Sequence, residues 1–490
     1  MKKLSTYKYL AGFVLVVSLL SSCKKYEDFQ TNPNLPSNAT AALLLTGICY
    51  NIFYYDNTQA AFASRHLTYY ERGNSAVDYS WTAGNNDNYS FDNFNVLRQV
   101  MQMDSLATQA GQTQYLGLTK FFRALLFSQM TEIYGNIPYT QALKALSGNF
   151  KPVYDDQETI YKGILQELEE ANALLDDSKG RINGDIVYNG VASQWKKLVN
   201  AFRLRLLVHL SKKEANNNLN IKTQFQNIIG NSAKYPLFGS NADNAQLLFN
   251  SSSPDNYYPS FGYLSLSTAV SLEKGFAKIL KDRSDPRLFE FAEPVSGSPA
   301  GVFSSYEGVD AGLTVSDQQT ASANASRIKA RYHSDRINEP WILMGYAEQE
   351  FLIAEAIARN WITGAGTAKS HYDNGITASM QFYNIGGADI SSYLSQPLVI
   401  YNAGTALNQI AIQKYIAMFM NSGWEPFLEQ RRTGIPVLSV GPGTYNNGLV
   451  PKRWLYPQSE YDYNVDNLTS AIQSQYSGND DVNKTMWLIQ

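Results

Sequence analysis

Between residues 66 and 95, flat rings alternate with amides and acids. Tyr69, Tyr70, Tyr79, Trp81 and Tyr89 stand among Asn85, Asn86, Asp87 and Asn88. A second run, Tyr257, Tyr258, Phe261 and Tyr263, lies in a stretch rich in Ser, Asn and Pro, with Phe303 and Tyr306 further on. These residue types suit a polyhydroxylated ring. An aromatic face covers the C–H side of a sugar, while amides and carboxylates meet the hydroxyls around its rim. Trp81 offers the largest face, Tyr69, Tyr70, Tyr79 and Tyr89 extend it, and Asn86 and Asp87 supply donors and acceptors. Tyr257, Tyr258 and Tyr263 would close the opposite side. On this reading Trp81→Ala abolishes ligand retention and leaves thermal stability nearly unchanged. Packing of a long loop on itself is the competing reading for each ring.

Other chemistries lack their residues. No Gly-Lys dipeptide and no Gly-x-Ser-x-Gly elbow occurs, so phosphate-cradling loops and serine hydrolases lose their usual signatures. His66, His209, His333 and His371 stand far apart, and none pairs with a second His or Cys at metal spacing. Asp87, Asn88 and Asp92 fit turn chemistry better than a calcium loop, as do Asp480 and Asp481. A glycoside hydrolase needs only two facing carboxyls, which any of the 43 acidic residues could supply. Glu348, Glu350 and Glu355, however, sit on a helical stretch and read as structural. Neither a cofactor nor a metal is called for.

The start of the chain addresses it. Lys2, Lys3 and Lys8 lead into an apolar run from Tyr9 to Leu20, and Leu20-Ser21-Ser22-Cys23 follows. That is the pattern of a signal peptide over residues 1–22, too short to span a bilayer comfortably. Leu three residues before a Cys resembles the bacterial lipobox, in which Cys23 is acylated and holds the protein on a membrane. Residues 23–39, with Pro33 and Pro36, read as a tether, and the folded body as residues 40–490. Removing three lysines takes the formal charge from -3 to about -6, against nucleic acid as a partner. The only other cysteine, Cys49, lies in an apolar stretch and reads as core.

Apolar residues at three-and-four spacing predict helices near 93–110, 114–134, 155–176, 191–213, 340–360, 366–383, 406–421 and 424–432. Asp155 with Glu158 resembles a start box for the third of them. The basic residues Lys196, Lys197, Arg203 and Arg205 read as a solvated or salt-bridged face. The fold class expected is all-α: four tetratricopeptide-like helix pairs supporting an irregular half, with a loop-rich insertion at about 214–337.

Several local patterns together resemble the SusD/RagB family of nutrient-binding lipoproteins, SusD-like branch. They include Phe122-Arg123-Ala124, Tyr134-Gly135-Asn136-Ile137-Pro138-Tyr139, Asp285-Pro286-Arg287-Leu288, Glu429-Gln430-Arg431-Arg432-Thr433-Gly434 and Tyr456-Pro457. The resemblance implies a cell-surface lipoprotein of the outer membrane that caps a TonB-dependent, SusC-like transporter. Such a protein delivers glycans, or oligopeptides in some members, and cuts neither. It also implies that Tyr134, Gly135, Arg431 and Arg432 serve the scaffold. Asn136 stands where Asp is commoner in the family. An oligopeptide-binding lipoprotein and a surface glycoside hydrolase remain as alternatives.

Overall fold

The computed structural model describes residues 39–83 and 91–490. Cys23, Asn86, Asp87 and Tyr89, with the signal peptide and most of the tether, lie outside the described residues. Ten helices build the frame: α1 (Ala41–Phe53), α2 (Asn93–Gln109), α3 (Thr113–Tyr134), α4 (Gln157–Leu174), α5 (Ala192–His209), α6 (Tyr346–Ala358), α7 (Ala368–Phe382), α8 (Ala406–Ala417), α9 (Glu425–Thr433) and α10 (Val465–Tyr476). The fold is mainly α, and each expected helix has its counterpart. No helix among the described residues is long and apolar enough to cross a membrane.

Helix α3 packs against α2 and α4, and α6 against α7 and α5. Enclosed in this way, α3 buries Leu118, Phe121, Phe122, Leu125, Phe127 and Met130, more than the single stripe its spacing suggests. It stops at Gly135, whose φ of 89° belongs to the region that glycine favours. A Cβ there would stand 2.2 Å from Gln475 Oε1 and 2.4 Å from Tyr476 Oη. Helix α4 is capped one residue later than expected, by Asp156, which accepts from Thr159 N at 2.7 Å. Asp155 instead accepts from the backbone of Tyr139 and Thr140. Close approach of α6 and α7 rests on Gly375, where a Cβ would fall 2.6 Å from Phe351. A second core cluster of Phe351, Tyr372, Ile376, Tyr393 and Ile410 forms around that contact.

Among the described residues, four short strands tie the irregular half to the frame: β1 (Leu67–Tyr69), β2 (Ala245–Leu247), β3 (Val270–Leu272) and β4 (Trp341–Met344). β1 pairs antiparallel with β3, placing Tyr69 opposite Val270, and β2 pairs antiparallel with β4. Residues 341–344 were expected to open a helix. Trp-Ile-Leu-Met is a short apolar run that periodicity cannot separate from a strand, and its partner lies about a hundred residues away. Residues 214–337 likewise carry more structure than a loop, including helices Ile221–Gly230 and Lys274–Asp282 and one strand of each ladder.

Buried ion pairs hold the helices in register. Arg205 on α5 grips Glu348 on α6 through two bonds of 2.6 Å, and Arg203 pairs with Glu169. Arg432 bridges Glu355 and Glu429, while Lys414 reaches Glu429 at 2.9 Å. Glu350 accepts from His371 and Asn374, so the three acids of α6 are all engaged with neighbours. At the centre, His209 Nδ1 lies 2.8 Å from Glu132 and its Nε2 2.7 Å from Glu425. A neutral imidazole has one N–H, so two carboxylate partners require the imidazolium.

Burial alone would lower the His209 pKa, but the charges of Glu132 and Glu425 and their hydrogen bonds hold it well above 6.5. Burial likewise works to raise Glu425, and the charges of His209 and Arg205 instead pull it down to about 2. The unfolded imidazole titrates near 6.5, so its stabilisation is complete below that pH and drains away as the pH rises through the folded value. Glu425 works in reverse: its contribution is complete above about 4.5 and fades as the pH falls toward 2. Thermal melts from about pH 6 to about pH 9 should therefore show falling stability in the wild type. His209→Gln should start lower and decline less steeply. Parallel curves for the two would contradict the ionised His209.

Candidate functional site

The β1–β3 ladder brings two parts of the irregular half side by side. After Tyr69 the chain turns through Glu71-Arg72-Gly73, and Asn74 accepts from Ala76 N and Val77 N to cap the short helix Ser75–Asp78. From the other strand, Tyr263 precedes the helix Leu264–Thr268 that leads into β3. Thr68 donates to Gln318 Oε1, and Gln318 donates to Leu313 O, which sets the 313–318 loop against the turn. Tyr445 N donates to Asp78 O at 2.7 Å and anchors a third loop there.

A cavity opens on each side of this turn. The larger, of about 480 Å³, is lined by Asp56, Gln59, Tyr69, Arg72, Asn74 and Tyr263. The smaller, of about 280 Å³, shares Tyr69, Arg72 and Asn74 and adds Asp78, Thr314 and Tyr445. The larger is of the size of small-ligand sites. Tyr263 is 47% exposed and Tyr445 72% exposed, so rings stand open at both mouths. Tyr69 is only 8% exposed and forms part of the wall, its hydroxyl donating to Glu71 Oε2 at 2.8 Å.

Burial and the bond to Glu71 raise the Tyr69 hydroxyl above its ordinary pKa. The charge of Asp56 raises that of Tyr263, with burial second. Both hydroxyls stay protonated near neutrality, able to donate as well as accept. Asp56 Oδ1 accepts from Thr58 N at 2.9 Å, which fixes that carboxylate. Arg72 lies at the rim of both cavities and makes no ion pair among the described residues. The lining thus combines ring faces, a guanidinium without an ion pair among the described residues, carboxylates and an amide, the set that holds a polyhydroxylated ligand by its faces and its rim.

Of the rings expected to bind, Tyr69 and Tyr263 share the larger cavity, one from each loop group. Trp81 does not join them. It is 8% exposed, stacked on Trp454 at 4.2 Å with Phe427 at 5.4 Å, and its indole N–H donates to Ser75 O. Tyr79 is buried with Arg65 4.1 Å from its ring centroid, and burial pushes its hydroxyl up to about 12. Tyr70 is buried under Arg327, and Tyr258 is buried between Phe249 and Tyr332. Corrected by these contacts, Trp81, Tyr79, Tyr70 and Tyr258 are packing residues, because a ring with its faces covered has none to offer. Tyr257 is half-buried and packs on Phe261 and Arg336. Phe303 packs on Phe289, and Tyr306 is buried.

Aromatic runs gave no sign of Asp56, Arg72, Asn74 or Tyr445. A signal for Tyr445 did exist, since Gly441-Pro442-Gly443-Thr444-Tyr445-Asn446-Asn447-Gly448 sets a ring in turn-forming residues as the other loops do. Among the described residues, ligand atoms of His209, Glu425 and Glu429 lie within 4.8 Å of one another. They are already bonded to each other and to Arg205, Arg432 and Lys414, which leaves a cation little charge to neutralise.

Residues 33–457 match the SusD-like family model, described as starch-binding and associating with the outer membrane. A SusD homologue of Bacteroides fragilis is similar at 36% identity and a TM-score of 0.83, over 92% of this chain and all of its own. A second SusD homologue of that organism is 29% identical with a TM-score of 0.85 over the same shares. A chitin-binding protein is 25% identical with a TM-score of 0.73, over 92% of this chain and 99% of its own. No curated protein matches the chain.

Proposed function

The chain belongs to the SusD-like family, and from that premise we propose that it is an outer-membrane protein that binds an oligosaccharide in the paired cavities around Arg72. It passes its ligand to a TonB-dependent transporter and does not cut it. A lipid on Cys23 would hold it at the cell surface. The observation that carries the reading is the meeting of Tyr69 and Tyr263, from loops about two hundred residues apart, in one cavity that also holds Asp56 and Arg72. The starch-binding description of the family and the chitin-binding relative support a glycan as the ligand.

Affinity electrophoresis in gels containing starch, glycol-chitin or xylan, with chromatography of matching oligosaccharides after long incubation, tests this. At least one glycan should retard the protein, and every oligosaccharide should keep its length. Appearance of shorter products would make the protein a hydrolase. Retention of oligopeptides with no retardation by any glycan would replace the sugar.

A further inference from the structure

A second cavity stands apart from the Arg72 site and shares none of its lining residues. It has a volume of about 610 Å³ and lies where α4 begins, between α10 and residues 487–490. Every residue that lines it carries a polar or charged side chain except Trp487, its one aromatic ring.

Asn136 marks it as a site. The residue is 7% exposed, and it lines this cavity. Its backbone is spoken for: N–H donates to Gln475 Oε1 at 2.9 Å, and its carbonyl accepts from Tyr456 Oη at 2.6 Å. The side-chain carboxamide has no partner among the described residues. Its oxygen and nitrogen face the open cavity, where water pairs with them in the free protein and a ligand hydroxyl can take the place of that water. Trp487 makes a second opening. It is half-buried, Lys213 Nζ lies 4.9 Å from its ring centroid, and its indole N–H is unpartnered among the described residues.

Charge narrows the ligand. The N-terminus of α4 is already satisfied by the Asp156 carboxylate, and Glu158 beside it accepts from Asn218 Nδ2 at 2.7 Å. The two carboxylates, Asp156 and Glu158, are balanced by the ammonium groups of Lys162 and, against Trp487, Lys213, so no net charge favours an ion of either sign over a neutral ligand. The polar wall disfavours an apolar molecule. A carboxamide pairs its acceptor and donors with neighbouring hydroxyls, and an indole covers a C–H face. We propose that this cavity is a second binding site, taking a neutral saccharide unit of one or two rings between the Asn136 carboxamide and the Trp487 indole.

Fluorine NMR of the full chain labelled with 5-fluorotryptophan tests this, with Trp487→Phe identifying the signal. The probes are glucose, N-acetylglucosamine and xylose with their disaccharides at millimolar concentration. The Trp487 signal should move saturably with at least one of them, both in the wild type and in an Arg72→Ala/Tyr263→Ala variant. Asn136→Asp, which keeps the shape and removes the amide donors, should weaken the response on the order of tenfold. Asn136→Leu should weaken it at least as much, with unchanged circular dichroism confirming the fold. A signal that stays fixed across the panel, or one that Asn136→Asp leaves unaltered, overturns the proposal. A fixed Trp487 signal beside calorimetric binding that needs Arg72 and Tyr263 removes the second site and leaves the first.

Discussion

Trp81→Ala will cost about 3–5 kcal/mol of stability, the range for emptying a large aromatic from a core. The indole stacks on Trp454, meets Trp424 at 6.1 Å edge to face and touches Phe427, so its removal opens a void walled by rigid rings. It also leaves Ser75 O without the indole donor it accepts at 2.9 Å. Denaturant unfolding followed by tryptophan fluorescence and by circular dichroism will measure the loss. Trp81→Phe should recover part of it, keeping an aromatic filling without the N–H. Normal stability with lost glycan binding would instead restore Trp81 to the ligand surface and contradict the packing described above.

Arg432→Ala will be as damaging, for a different reason. The guanidinium is buried and donates to Glu355 at 2.7 and 2.8 Å, to Glu429 at 2.9 and 2.7 Å, and to Ser211 Oγ at 3.0 Å. Removing it leaves Glu355 and Glu429 without their shared bidentate partner in a water-excluded interior. Breaking a buried pair from one side costs about 3–5 kcal/mol, chiefly through the charges left behind. Lys414 still reaches Glu429 and Arg359 still donates to Glu355 at 2.8 Å, so each acid keeps one cation after losing the bidentate one, and a proton entering one of the two acids is the cheapest relief. The Ala variant should therefore lose less stability at low pH, where that carboxyl is neutral. Arg432→Lys keeps the charge but cannot form two bidentate pairs, and should fall between. Arg431→Ala is the control: its guanidinium donates to Lys452 O and joins no such pair of acids, so a smaller loss is expected. Equal losses at Arg431 and Arg432 would refute the charge-network account.

Helices were legible in the sequence because their signal is local. The spacing of Leu118, Phe121, Phe122, Leu125 and Leu126 depends on neighbours within two turns, and Gly135 and Gly434 mark ends that the structure places there. Strands were not legible, since the partners of β1 and β4 lie far along the chain and each strand is too short to alternate. The binding surface divides by the same rule. A ring in an Asn-rich and Gly-rich loop was readable at Trp81 and at Tyr263, but its exposure was not. Trp81 is covered by Trp424, Phe427 and Trp454, more than three hundred residues on, whereas Tyr263 stays 47% exposed. Arg72 was invisible for a related reason, because an unpaired cation is recognised only when the positions of the carboxylates around it are known.

Calorimetric titration of a retained oligosaccharide into the wild type and into Arg72→Ala/Tyr263→Ala, with matched thermal midpoints, tests the central claim most directly. Losing a charged hydrogen-bond donor and a ring face together should weaken binding roughly a hundredfold. Unchanged affinity in the double variant would contradict a glycan held in the cavities around Arg72.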